Sequence, residues 1–227
     1  MNRIPGMNFL ARKRENFYCI NKFKSYFPNL TKYFPETFLI PEDLEDYKKA
    51  HKNHPKRTYV SKINKGSQGY GITLLGSPKD LSVIPSTKAS DMVIQHYIEN
   101  PLLLEGKKHD LRLYLVISSV EPFIAYLNEE GLARFCTKDY EKPTRANLYD
   151  GSIHLTNYSQ NKSDKGYVFT NELHEINGGS KRTMSSYWKS VAKNGNDVQK
   201  VSLWRLKMKR KGEKSTRKTI KKREIKN

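Results

Sequence analysis

Apolar residues recur at helical spacing early in the chain. Phe9, Leu10, Phe17, Ile20, Phe23 and Phe27 predict a helix over residues 8–27, closed by a turn at Pro28-Asn29. A short extended segment follows from Phe34 to Pro41, and Pro41-Glu42-Asp43 opens a second helix with proline and acids where a helix N-terminus favours them. The period then shortens. Thr58–Ile63 and Gly71–Leu75 predict two strands joined by a glycine-rich loop, and Met92–Ile98 predicts a third. Asp110–Ser119 alternates and then runs apolar, as one buried strand would. Glu121-Pro122 makes a turn, Phe123–Leu127 returns as another strand, and Gly131–Cys136 predicts a further one. Met184, Tyr187, Trp188 and Val191 share one face of a helix over residues 181–194, ended by Asn194-Gly195. Strands interspersed with helices, without internal repeats, predict an α/β or α+β fold.

Composition narrows the class. The 227 residues are enough to bury a core, and 36% hydrophobic with 29% charged residues is a globular balance. Two cysteines, Cys19 and Cys136, give no disulfide framework and no metal-ligand spacing, so both are expected to be inert core residues in a reducing compartment. No apolar run approaches the roughly 20 residues of a membrane span, and the N-terminus lacks a signal-peptide core, which predicts a soluble, intracellular protein. The net charge is +19, and residues 202–227 hold twelve Lys or Arg against two Glu, or +10 of that total. Such a surface attracts polyanions: nucleic acid, anionic membrane or an acidic polypeptide.

Chemistry concentrates between residues 58 and 182. Gly66-Ser-Gln-Gly-Tyr-Gly71 places three glycines in six residues, so backbone amides can approach and face phosphate oxygens. It is neither a Walker A loop nor a dinucleotide fingerprint, and alone it would pass as a hairpin turn. Lys62, four residues upstream on a predicted strand, adds a cation beside it, a pairing that recurs in nucleotide sites. Gln95-His-Tyr-Ile98 by itself is an apolar strand with a polar face. Asp110 and Arg112, two apart on a strand, face the same way and are either a structural ion pair or ligand contacts. Arg134 interrupts the apolar run Leu132-Ala-Arg-Phe135, where an unpaired guanidinium is costly and a bidentate carboxylate or phosphate suits it.

In order, Thr58-Tyr-Val-Ser-Lys62, the glycine loop, Gln95-His-Tyr-Ile98, Lys108-His-Asp-Leu-Arg112, Gly131-Leu-Ala-Arg-Phe135, His154-Leu-Thr-Asn-Tyr158 and Ser180-Lys-Arg182 closely resemble the tubulin-tyrosine-ligase-like family. Within it they resemble the branch that attaches glutamate to side chains of tubulin tails. The resemblance covers roughly residues 2 to 195 from Arg3-Ile-Pro-Gly-Met7 onward, and it implies an ATP-grasp fold. Its expected parts are an N-terminal helical and linker part (1–57), an ATP-grasp central and partial C-terminal part (58–200), and a basic tail (201–227). The implied reaction is ATP-driven: a carboxylate takes the γ-phosphate to give an acylphosphate, and the amine of free L-glutamate displaces phosphate.

By the same resemblance, Lys62 contacts the ATP phosphates beneath Gln68 and Gly69. Gln95, His96, Tyr97 and Ile98 form the adenine-side segment, while Lys108, His109 and Asp110 make ribose- and base-side contacts. Thr156 and Asn157 complete the nucleotide site. Arg134, Tyr158, Ser159 and Lys181 hold the incoming amino acid, with Arg134 and Lys181 acting at the reaction centre. Two positions depart from the family pattern: Ile63 replaces a common proline, and Tyr70 replaces a basic residue in the loop. Family members take Mg2+ on an Asp and a Glu-x-Asn motif. Glu175-Ile-Asn177 matches the latter literally but precedes Ser180 in a Gly-Gly loop and is set aside as chance, and the acids after residue 182 are Asp197, Glu213 and Glu224. The sequence therefore assigns no metal ligand and predicts an ATP-grasp unit incomplete at its C-terminus. The expected partners are acidic tubulin tails, with no nucleic acid and no membrane, in the cytoplasm and cytoskeleton, including cilium, axoneme or basal body. The alternatives are a catalytically inactive ATP- or microtubule-binding relative, a tubulin glycine ligase, and a nucleic-acid binder acting through the tail. Against the last, no zinc-finger, RRM or KH signature is present.

Overall fold

The computed structural model describes residues 4–84, 91–169 and 179–194. Short helices α1 (Met7–Ala11), α2 (Lys13–Lys24) and α3 (Pro28–Thr31) lead into β1 (Thr37–Ile40) and α4 (Leu44–Asn53). β2 (Tyr59–Ile63) and β3 (Ile72–Leu75) flank the glycine loop, a 3₁₀ turn spans Pro78–Val83, and β4 is Met92–His96. These strands form one antiparallel sheet in the order β1-β4-β2-β3. A boundary at residue 57 thus falls between strands of a single sheet.

A second antiparallel sheet runs β10-β9-β6-β5, from β5 (Leu103–Leu104), β6 (Lys107–Arg112), β9 (Leu132–Phe135) and β10 (Lys181–Thr183). Among the described residues β7 (Leu115–Ser119) and β8 (Ile124–Leu127) pair only with each other, with Leu115, Val116, Phe123 and Tyr126 exposed. The remaining helices among the described residues are α5 (Gly151–His154), α6 (Tyr158–Asn161) and α7 (Met184–Lys193). Mixed helices and antiparallel sheets make this an α+β architecture, consistent with the ATP-grasp fold that the resemblance implies.

Each sheet is two-faced, because side chains alternate along a strand. On the first, Phe38, Ile40, Tyr59, Met92 and Ile94 pack under Tyr47 of α4. The opposite face carries Val60, Leu74 and Tyr97 with Leu148. On the second sheet, Leu104, Ala133 and Phe135 pack against Met184, Tyr187 and Val191 of α7. Its other face turns toward Tyr97 and the first sheet.

Four expectations change. The helix over 8–27 is two helices, broken where Arg12 is extended (φ −94°, ψ 140°), and its apolar residues are no core face: Phe9, Leu10, Phe23 and Phe27 are each about half exposed. The break follows from tertiary anchoring, since Arg14 donates to the Ile40 carbonyl and Glu42. The strand expected over 110–119 is split between two sheets, because Asp110 and Arg112 pair with β9 while Leu115 onward pairs with β8. The helix expected from residue 181 begins at Met184. Lys181–Thr183 ladder with β9, and the Thr183 side chain caps α7 by accepting from the Ser186 amide. Finally, Cys136 is buried, with its thiol pushed up to about 12 by desolvation, whereas Cys19 is only partly covered. The 201–227 tail and Glu175-Ile-Asn177 lie outside the described residues.

Candidate nucleotide and amino-acid site

The period-two alternation of three strands assembles the site. On β2, Lys62 shares a face with Val60; on β4, Gln95 shares it with Val93, and the register places Val60 opposite Gln95. Lys62 and Gln95 are therefore diagonal neighbours, and Lys62 Nζ donates to Gln95 Oε1 at 2.7 Å. Gln95 Nε2 in turn donates to Thr37 Oγ1 at 2.9 Å, which fixes its amide orientation.

On β6, Lys108 and Asp110 face the cleft. Lys108 Nζ donates to the Tyr97 hydroxyl (2.7 Å) and the His154 carbonyl (2.9 Å), and stands 4.1 Å from the Tyr97 ring centroid. That contact joins the two sheets. The Tyr97 hydroxyl also lies within hydrogen-bonding distance, 3.1 Å, of His154 Nδ1.

Both ammonium groups are half-buried, and their bonds go to an amide oxygen, a phenol and a backbone carbonyl rather than to an anion. Desolvation pulls Lys62 down to about 8, with the nearby Lys13 charge adding to it. Lys108 is likewise lowered to about 8 by burial, with Lys62 contributing. Two poorly solvated cations facing one cleft favour an anionic ligand.

The loop closes the cleft. Gln68, Gly69 and Gly71 have positive φ (58°, 83° and 69°), and the amides of Ser67, Gln68 and Gly69 have no backbone acceptor among the described residues. Amides so presented suit phosphate oxygens. The loop tip rests on α6: Ser159 Oγ donates to the Gln68 carbonyl at 2.5 Å, and a Cβ on Gly69 would lie 2.8 Å from Gln160 and 3.1 Å from Asn157.

Beside Lys108 on the same face of β6, Asp110 joins Arg134 and Thr156. Asp110 faces Arg134 across the β6–β9 ladder and accepts from its Nε (2.8 Å) and Nη2 (2.6 Å), and Thr156 Oγ1 donates to Asp110 Oδ2 at 2.7 Å. This hydrogen-bonded carboxylate raises the Arg134 pKa. Asp110 thus pairs with Arg134, not Arg112, which is exposed. Lys181 is opposite Arg134 on β10, with its ammonium 5.2 Å from the Tyr158 ring centroid.

Lys62, Gln95, Tyr97, Lys108, Asp110, Arg134, Thr156 and Lys181 therefore converge, with Gln68, Gly69, Asn157, Tyr158 and Ser159 over them. His109 is elsewhere: it points to the opposite face of β6, with Nε2 3.0 Å from the Tyr187 hydroxyl and its ring against Phe135. His96 also turns away, its ring centroid 5.9 Å from that of Tyr59. With Ile98, which is exposed, it borders an open cavity of about 420 Å³ together with Tyr33 and Phe34. Sequence reasoning missed Lys13, whose ammonium reaches the glycine loop, and Thr37, the orienter of Gln95. It also gave no role to His154, though that residue opens one of the motifs.

These residues fit a nucleoside triphosphate: two ammonium groups without anionic partners lie by a loop in which, among the described residues, the Ser67, Gln68 and Gly69 amides have no backbone acceptor. No cluster of magnesium ligands is seen among the described residues, and Asp110 is already committed to Arg134 and Thr156. Among the described residues no helix is long and apolar enough to cross a membrane.

The tubulin-tyrosine ligase family model matches residues 1–223 of the chain. A tubulin polyglutamylase of Caenorhabditis elegans is 35% identical over 210 residues, covering 90% of this chain and 29% of that protein. One of Danio rerio is 35% identical over 201 residues, covering 88% and 25%. One of Homo sapiens is 32% identical over 207 residues, covering 88% and 29%. The chain spans under a third of the length of these relatives.

Proposed function

Because this chain belongs to the tubulin-tyrosine ligase family, we propose that it is the nucleotide-handling part of an ATP-dependent ligase joining free L-glutamate to glutamate side chains in tubulin's acidic C-terminal tails. The supporting observation is the pair of half-buried ammonium groups, Lys62 and Lys108, without anionic partners beneath the Gly66–Gly71 loop. ATP, when bound, supplies the phosphoryl group that activates a carboxylate toward an amine. The chain binds and orients. Lys62 and Lys108 neutralise phosphate charge, and the Ser67, Gln68 and Gly69 amides cover it. Asp110 holds the Arg134 fork through two of its five N–H groups, leaving Nη1 for the carboxylate of the incoming amino acid, with Lys181 beside it. The setting that goes with this substrate is the cytoskeleton of the cytoplasm, including ciliary microtubules.

Titration of residues 1–227 with ATP tests the reading. Lys62→Ala and Lys108→Ala should each weaken binding by about tenfold or more, ~1.4 kcal/mol, with circular dichroism unchanged. Wild-type affinity in both variants would remove the assignment.

A further inference from the structure

The start of α2 is fastened to the base of the glycine loop. Lys13 Nζ donates to the Gly66 carbonyl at 2.6 Å and lies 3.4 Å from the Asn64 carbonyl. The next residue reciprocates: the Arg14 amide donates to Asn64 Oδ1 at 3.1 Å, supplying the cap that the Arg12 side chain does not. Asn64, buried, also donates its own amide to the Asp91 carbonyl at 3.0 Å, and the Arg14 guanidinium holds Glu42 at 2.6 Å. The loop turns sharply at this anchor, since a Cβ on Gly66 would lie 2.6 Å from the Tyr70 carbonyl oxygen.

A trans peptide is planar, so its N–H points opposite to its C=O. Fixing the Gly66 carbonyl toward Lys13 therefore turns the Ser67 N–H away from α2, and Ser67 is the first of three successive amides without a backbone acceptor. From this geometry we propose that Lys13 is a positioning residue for the phosphate loop, orienting its amides without itself touching the ligand. The inference rests on the nucleotide reading of the loop and extends the site into the N-terminal helices. Exposed Lys22 on the same helix serves as a charge control.

The test uses the full chain with Lys13→Met, which keeps the aliphatic stem and removes the ammonium, Lys13→Arg, which restores donors, and Lys22→Met. Amide hydrogen exchange is followed without nucleotide at Asn64, Gly66 and Tyr70, whose N–H groups bond within or beside the loop. Lys13→Met should speed exchange at these amides and weaken ATP binding roughly tenfold, the loss of one charge-assisted hydrogen bond. Lys13→Arg should recover both, and Lys22→Met should change neither. Unaltered exchange in Lys13→Met overturns the proposal, as does an equal loss of ATP affinity in Lys13→Met and Lys22→Met, which would make the effect one of net charge. If the wild-type chain binds no ATP, the nucleotide reading fails, while the exchange data still decide whether Lys13 holds the loop.

Discussion

Lys62 and Lys108 carry the pH behaviour of the site. Their pKa values near 8, against an ordinary 10.5, mean that above pH 8 the folded protein binds fewer protons than the unfolded chain. The ligand-free fold is therefore favoured by these two groups as pH rises from about 8 toward 10.5. A polyphosphate reverses the preference, because it stabilises the charged amines and binds with proton uptake. ATP affinity should hold steady below neutrality and fall as pH rises past 8, by up to about tenfold per unit for each lysine that must be recharged. Lys62→Arg, which does not titrate in this range, should flatten the profile; titrations between about pH 7 and 9.5 check both slopes. Asp110 shows a different residue-scale effect. Its two oxygens are occupied by Arg134 and Thr156, a partnership between positions 24 and 46 residues away that local spacing does not disclose.

Among the elements, the glycine loop and α6 form one unit. Gly69 needs its positive φ and has no room for a methyl group against Gln160 and Asn157. Gly69→Ala should lift the loop tip from α6 at about 1–2 kcal/mol of left-handed backbone strain, weakening ATP binding while the thermal midpoint moves little. Equal ATP affinity in the two proteins would show that the tip does not shape the site. β2, β3 and β4 were legible in the sequence because alternation and the glycine cluster both report local geometry. The strand break after Arg112 was not, since the apolar pattern runs on through Leu113 while the backbone changes partners from β9 to β8. Nor was the interruption of the first helix at Arg12, which is set by contacts with Ile40, Glu42 and Gly66 far along the chain. Lys181 read as helical because Met184, Tyr187 and Val191 share a face, yet the three residues before Met184 ladder with β9. Its neighbourhood with Arg134 becomes visible only in that pairing.

At the scale of the whole molecule, charge governs encounter. A net +19 should draw the protein to acidic tubulin tails, with affinity falling steeply as salt rises, because the screening length is only about 10 Å at 0.1 M and shrinks further above it. Co-sedimentation with microtubules before and after proteolytic removal of their tails measures this, and equal binding to both would refute the tail as the docking element. The cleft itself depends on two sheets presenting matched faces, and β6 holds that match by alternation: Lys108 and Asp110 look into the cleft while His109 and Leu111 pack behind it. The gene is therefore bound by a parity rule over this strand. Inserting or deleting a single codon between Lys107 and Arg112 would exchange its two sides, sending a carboxylate into the core and an imidazole into the cleft, whereas a two-codon change keeps each side's character.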